Sequence, residues 1–251
     1  MGYSIRGNFV NCWKCGSHSL GETVASILGI PQKQAWAMVG QIDKQRVGPV
    51  VSKRGTLELP KGIAPLSDAH KRYLVKRGFD PDELVALWDL GGIGLASRLS
   101  WRIFIPIKYQ GQTVSWTTRS IKDNVELRYV SAAEKQEAIN HKSLLYGEDY
   151  ARHSIVVVEG PFDVWKIGPG CVGTCGTGYS RAQVNRMARY PVRTICFDNE
   201  KQAQKRAREL ANMLAVFEGE TNIVTLDAKD AAEASDSEIR ELRKAGKLTH
   251  E

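Results

Sequence analysis

Ser154-Ile155-Val156-Val157-Val158-Glu159-Gly160-Pro161-Phe162-Asp163 is an apolar, β-branched run that stops on a carboxylate. A second run, Thr194-Ile195-Cys196-Phe197-Asp198-Asn199-Glu200, stops on an acidic cluster. A glycine-rich turn and one helix-length stretch lie between them. Short β-branched runs alternating with helical segments predict buried parallel strands of an α/β sheet. Ligands of such sheets bind at the carboxyl ends of the strands, so Glu159, Asp198 and Glu200 are expected to converge there. Clustered acids repel one another unless cations lie among them, and hard oxygen ligands suit Mg²⁺ or Mn²⁺. The pattern points to metal-assisted phosphoryl chemistry.

Composition sets the outer limits. The 251 residues can hold one large domain or two modest ones, with 42% hydrophobic and 25% charged residues, as in ordinary globular proteins. No apolar stretch reaches the roughly 18–20 residues that span a membrane, and Met1 to Arg6 lacks the apolar core of a signal peptide. The 5 cysteines, an odd number, read as reduced thiols or metal ligands. These features predict an intracellular, cytoplasmic protein with no membrane partner. A net charge of +7 suits a polyanionic partner.

Outward from the acidic runs, Thr221 to Leu226 reads as a third strand leading to Asp227-Ala228-Lys229-Asp230. Lys201 to Val216 carries Ala203, Ala207, Leu210, Ala211 and Leu214 at helical spacing. Upstream, Arg102 to Ile107 and Thr113 to Thr117 read as a hairpin turning at Gln110-Gly111, with Tyr129-Val130 as a short further strand. Ser67-Asp68 opens a helix that Gly78 ends, and Asp80-Pro81 opens another. The aperiodic stretch 44–65, with Pro49, Pro60 and Pro65, is the linker candidate. Before it, Cys12-Trp13-Lys14-Cys15-Gly16 offers the two thiolates of half a zinc site, followed by a helical pattern from Leu20 to Leu28. Zinc needs four ligands, so Cys12 and Cys15 alone are not expected to hold it at full stoichiometry, even with His18 nearby.

Several of these stretches together resemble one family, the bacterial-type DNA primases with a TOPRIM catalytic module. Val157-Val158-Glu159-Gly160-Pro161-Phe162-Asp163 is similar to the family's Val-Glu-Gly-Tyr-x-Asp strand end. Gly173-Thr174 resembles its Leu-Gly-Thr turn, and Phe197-Asp198-Asn199-Glu200 its Phe-Asp-x-Asp, with Glu as the second acid. Lys229-Asp230-Ala231-Ala232-Glu233 resembles Lys-Asp-Pro-x-Glu, with Ala231 in the Pro position. Arg77-Gly78, Arg102 to Ile107, Gly111 to Arg119, Arg128-Tyr129 and His141 to Gly147 resemble the primase amino-terminal core. Residues 1–30 resemble the second half of a primase zinc ribbon. The resemblance covers roughly residues 66–235 and implies a small phage- or mobile-element-like primase, or a fragment of one. The first half of the ribbon and the helicase-binding domain would be missing.

That resemblance implies an α/β fold in four parts. These are a partial zinc-ribbon-like segment with its helix (1–43), a linker (44–65), a mixed α/β primase core subdomain (66–152) and a Rossmann-like, mainly parallel TOPRIM domain with a carboxy-terminal helix (153–251). It implies RNA primer synthesis from ribonucleoside triphosphates on single-stranded DNA, with a replicative helicase or a separate zinc-ribbon protein as partner. Asp198, Glu200 and Asp230 are the implied metal ligands, and Glu159 a ligand or base. Arg102, Arg119, Arg128, Lys142 and Lys166 are the implied template and triphosphate contacts. Asp163, one helical turn beyond Glu159, is expected to orient a basic neighbour, and Trp101 and Trp116 to pack in the core, with base stacking as the alternative role. A metal-dependent TOPRIM nuclease and a catalytically silent single-strand binder remain as alternatives.

Overall fold

The computed structural model describes residues 2–4, 9–12, 16–35, 55–95, 98–176 and 178–248. The chain forms two compact units, Met1–Val51 and Ser52–Glu251. In the first, β1 (Gly2–Ser4), β2 (Phe9–Cys12) and β3 (Gly16–Ser19) make an antiparallel sheet in which Cys12 pairs with Gly16. Helix α1 (Leu20–Leu28) follows directly. Ser19 accepts from the Glu22 amide while the Glu22 carboxylate accepts from the Ser19 amide, so two orphan donors of the first turn are satisfied. Gly29, at φ +63°, closes the helix. Cys15 and residues 44–54 of the linker candidate lie outside the described residues.

The second unit opens with an antiparallel sheet ordered β4 (Ile63–Ala64), β5 (Gly91–Ile93), β6 (Arg102–Tyr109), β7 (Gln112–Ser120) and β8 (Tyr129–Ser131). Helices α2 (Asp68–Lys76) and α3 (Pro81–Trp88) are inserted between β4 and β5. Ser67 stands at the start of α2 without capping it by side chain; its hydroxyl instead meets the Nδ1 of buried His70 at 2.7 Å. Asp80 does cap α3, accepting from the amides of Asp82 and Glu83.

A parallel sheet follows, ordered β10 (Cys171–Gly173), β9 (Ser154–Val158), β11 (Val192–Ile195) and β12 (Glu220–Ile223). Helices α4 (Pro161–Ile167), α5 (Arg181–Met187) and α6 (Lys201–Leu214) make the crossovers, and α7 (Asp236–Ala245) closes the fold. Every residue of β9 is buried, as a strand covered on both faces must be. Ile155 and Val157 pack with Ala203, Ala207 and Leu210 of α6. Val156 and Val158 face the other way and share a core with Ile103, Ile105 and Ile107 of β6 and with Phe162 of α4. The two sheets of this unit are thus joined by one apolar core. Tyr146 and Gly173 exchange backbone hydrogen bonds of 2.9 Å, which ties the upstream segment to the free edge of β10. No helix among the described residues is long and apolar enough to cross a membrane.

Candidate catalytic cleft

Strand order locates the site. From β9 the chain crosses to β10 on one side; from β11 it crosses to β12 on the other. The neighbouring strands β9 and β11 therefore flank a topological switch point, where a crevice opens beyond their carboxyl ends. Glu159 follows β9 and Asp198 stands three residues past β11, so both carboxylates reach that crevice. A cavity of about 400 Å³ lies there, lined by Glu159, Asp163, Asp198 and Asp230 on the acidic side. Arg77, Arg119, Arg128 and Lys229 also line it.

The acidic loop is held by amides. The Asn199 side chain donates to the Leu226 carbonyl at 2.9 Å, and its backbone N–H donates to the Lys229 carbonyl at 2.7 Å. Gln204 of α6 donates to the carbonyls of Phe197 and Asp198, each at 3.1 Å. These bonds fix the loop without using the carboxylates. Burial, with Glu159, Asp163, Asp230 and Glu200 nearby, pushes the Asp198 carboxyl up to about 7. Burial, and next Asp230, pushes Asp163 up to about 6, against two backbone amides that favour its charged form. Burial raises Glu159 too, although Arg206 opposes it.

Asp163 departs from expectation. Its carboxylate accepts from the Gly160 amide at 3.2 Å and the Ala232 amide at 3.1 Å, rather than orienting a basic side chain. It clamps the start of α4 to the 230–233 turn and joins the acidic group. Glu200 stands at the start of α6 with a side chain 59% exposed, 3.7 Å from Lys229. Its charge reaches Asp198 and Glu159, but its side chain does not line the cavity.

Among the described residues, no three acids, histidines or cysteines form a ready metal cage. The carboxylates are nonetheless near enough to perturb one another. That suits a hard, well-hydrated cation such as Mg²⁺, which keeps several waters and binds one or two carboxylates together with substrate phosphates. Mutual repulsion among all-oxygen donors is the observation that fits a divalent cation here.

The basic residues divide. The Arg119 guanidinium lies 4.8 Å from the ring centres of both Tyr129 and Phe162 and donates to the Tyr73 hydroxyl at 3.3 Å, so it is held rigidly at the cleft wall. Arg77 lies 5.7 Å from the Phe162 ring. Lys142 donates to the Cys175 carbonyl at 2.7 Å on the turn that borders the cleft. Arg102 and Lys166 are not brought to the cleft. Arg102 pairs across the hairpin with Ser120, and Arg119 with Ile103, so the pleat puts the two arginines on opposite sheet faces. Arg102 donates to the carbonyls of Leu127 and Arg128 and so braces the loop that carries Arg128. Lys166 is paired with Asp236 of α7 at 2.8 Å. Trp116 is buried, its indole donating to the Glu58 carbonyl.

Sequence reasoning passed over Arg77, Lys229 and Arg206. Arg77 and Lys229 sit inside stretches already singled out, and that position was the available signal. Arg206 had none, since its partner Glu159 is 47 residues away.

With this geometry in view, residues 156–235 match the Toprim-like family model. No curated protein matches the sequence. Among solved structures, the Aquifex aeolicus primase (zinc-binding and RNA polymerase domains) aligns over 99% of this chain and 75% of its own, at TM-score 0.64 and 16% identity. The fold is primase-like. The DnaG catalytic core aligns over 73% of this chain and 71% of its own, at TM-score 0.56 and 18% identity. The primase fragment of the bacteriophage T7 primase-helicase aligns over 74% and 81%, at TM-score 0.53 and 18% identity. At such identities the likeness concerns the primase-like architecture, a TOPRIM domain behind an antiparallel subdomain.

Proposed function

We propose that this protein is a DNA primase, joining ribonucleoside triphosphates into short RNA primers on a single-stranded DNA template during replication. The observation that carries the reading is the composition of one cleft. Acids at a strand-order switch point face arginines presented by the adjoining antiparallel sheet and its helices. Phosphoryl transfer asks for this combination, because charge grows on attacking and leaving oxygens while the triphosphate must be held in line. Mg²⁺ or Mn²⁺, when bound, supplies the positive charge that stabilises those oxygens.

Asp198 and Asp230 are the proposed ligands nearest the reacting phosphates, with Glu200 contributing charge from the rim. Glu159 serves as ligand or as base toward the primer hydroxyl. Arg77, Arg119 and Arg128 are the proposed triphosphate and template contacts, with Lys142 beside them. Asp163 holds the turn from which Glu159 projects and adds negative charge. In domain terms, residues 1–43, 66–152 and 153–251 correspond to ribbon-like segment, primase core subdomain and TOPRIM domain. The end of the expected linker 44–65 joins the core subdomain, since Ile63–Ala64 pair with β5 and Gly55 and Glu58 donate to the carbonyls of Ala138 and Gln136. A cytoplasmic setting, with a replicative helicase or a separate zinc-ribbon protein as partner, completes the proposal.

The test is primer synthesis on single-stranded DNA with labelled ribonucleotides and Mg²⁺ or Mn²⁺, run beside a cleavage assay on the same DNA. Template-dependent oligoribonucleotides that disappear with EDTA are expected. Cleavage without synthesis would mean a nuclease on the same scaffold, and binding with neither would mean a silent binder.

A further inference from the structure

Arg206 is the cation nearest to Glu159. It projects from α6, one Nη2 donating to both carboxylate oxygens at 3.2 and 3.4 Å. The two side chains are only 24% and 13% exposed. A guanidinium that meets a carboxylate squarely uses two nitrogens in a fork. Here a single nitrogen spans both oxygens, while the Arg206 Nε is buried and unpartnered. The contact is therefore strong in charge and loose in geometry. The remaining cleft acids are treated differently. Glu200 has Lys229 at the solvent-exposed rim, Glu233 has Arg77 at 3.8 Å with its own side chain 51% exposed, and Asp163 has only backbone amides. Among these acids Glu159 is the least exposed one that has a cation paired with it.

We propose that Arg206 is a resident counter-charge for Glu159, filling part of the place a second divalent ion would take and so setting how many ions the cleft holds and how tightly. This rests on the metal-dependent reading of the cleft given above. A cation in contact with Glu159 repels an arriving M²⁺ and also occupies the oxygens that would ligate it. Glu159 cannot simply be left bare, because a largely buried carboxylate stripped of its partner is costly. The ion, or the ion with its bound triphosphate, must therefore trade places with the guanidinium. Because Nε lacks an acceptor and the pair is not a fork, that exchange breaks only weak hydrogen-bond geometry. Arg206 thus acts through Glu159, as a positioning residue.

The test is a Mn²⁺ titration of the intact protein, reading free Mn²⁺ by electron paramagnetic resonance without template or nucleotides. Arg206→Gln removes the charge and keeps most of the side chain, Arg206→Lys keeps the charge, and circular dichroism checks folding of each. Arg206→Gln is expected to bind Mn²⁺ at least about tenfold more tightly, or to take up a second ion per chain, from Coulomb's law at a part-buried site. Arg206→Lys should resemble the parent, and the gain should vanish in a Glu159→Gln, Arg206→Gln double variant. Unchanged or weaker Mn²⁺ binding by folded Arg206→Gln would make Arg206 a mere brace and overturn the proposal, as would a gain that survives Glu159→Gln. The primase reading fails separately: a protein that shows this Mn²⁺ pattern yet makes no primer would sink that reading alone.

Discussion

At the residue scale, the proposed metal ligand Asp198 carries a cost in stability. Its carboxyl, raised to about 7 by burial and by neighbouring acids, titrates near 4 in an unfolded chain. As pH climbs between those values, the unfolded chain gives up its proton first, so it binds fewer protons and native stability falls. Above pH 7 both states are ionised and the deficit stays constant. Metal-free Asp198→Asn should therefore be more stable than the parent at pH 8, by about 1–2 kcal/mol once the part-exposed position is discounted for solvent screening. The gap should close near pH 4. Urea denaturation in EDTA at both pH values measures it, and a gap that does not change with pH would contradict the electrostatic account. The same variant should lose at least about a hundredfold in primer synthesis, since several kcal/mol of charge stabilisation go with a metal ligand.

The basic wall makes a second residue-scale prediction. Arg119 is held between two rings at the cleft, whereas Lys166 is spent on Asp236. Arg119→Ala should weaken single-strand binding and flatten its dependence on salt by about 0.7 log units per decade. Lys166→Ala should leave that slope as it was. Fluorescence anisotropy of a labelled oligonucleotide over a salt series reads both, and equal slopes for Arg119→Ala and the parent would remove Arg119 from the interface.

At the scale of elements, the sequence was legible where side chains alternate with a period and opaque where backbone carries the structure. Strands β9 and β11 announced themselves through β-branched residues, and the β6–β7 hairpin through two strand-like runs about the Gln110-Gly111 turn. Strand β5 did not, because Gly91 and Gly92 have no side chain to show a pattern. A Cβ on Gly92 would come within 2.9 Å of the His70 ring, so the packing of α2 selects glycine there. Strand β12 is exposed along most of its length and ends at Ile223, short of the apolar run that suggested it. Glu159 and Asp198 were readable because each closely follows a strand, which fixes the end of the sheet they reach, whereas Asp163 sits inside α4 and was not read as a cleft acid. Arg102 shows the limit: being basic and on a strand does not say which face of the pleat a residue takes. Gly147 gives this scale its test. At φ +82°, its Cβ would lie 2.8 Å from the Cys171 carbonyl oxygen, next to the Tyr146–Gly173 bridge that holds β10. Gly147→Ala should cost about 2–4 kcal/mol, from strain and overpacking together. Gly111→Ala, at φ +75° with open space around it, should cost about 1 kcal/mol. Thermal denaturation compares the two, and equal losses would show that the bridge does not matter.

At the scale of the whole molecule, the division into Met1–Val51 and Ser52–Glu251 makes the two units separately addressable. All the cleft acids and arginines belong to the larger unit, while Cys12 and Cys15 belong to the smaller. Anything that binds only the folded form stabilises it by mass action, about 2.7 kcal/mol at a hundred times its dissociation constant. For a unit of this size that is roughly 5–10 °C in melting temperature. Mg²⁺ or Mn²⁺ should therefore raise the melting of the larger unit by about that much and leave the smaller one unmoved, and Asp198→Asn should abolish the shift. Zinc should do neither, because two cysteines leave a tetrahedral site half empty, and elemental analysis should find less than one zinc per chain. Scanning calorimetry with EDTA, with Mg²⁺ and with Zn²⁺ separates these cases. One tightly held zinc, lost on Cys12→Ser together with a melting transition of its own, would mean that the small unit completes its site with ligands beyond its cysteine pair.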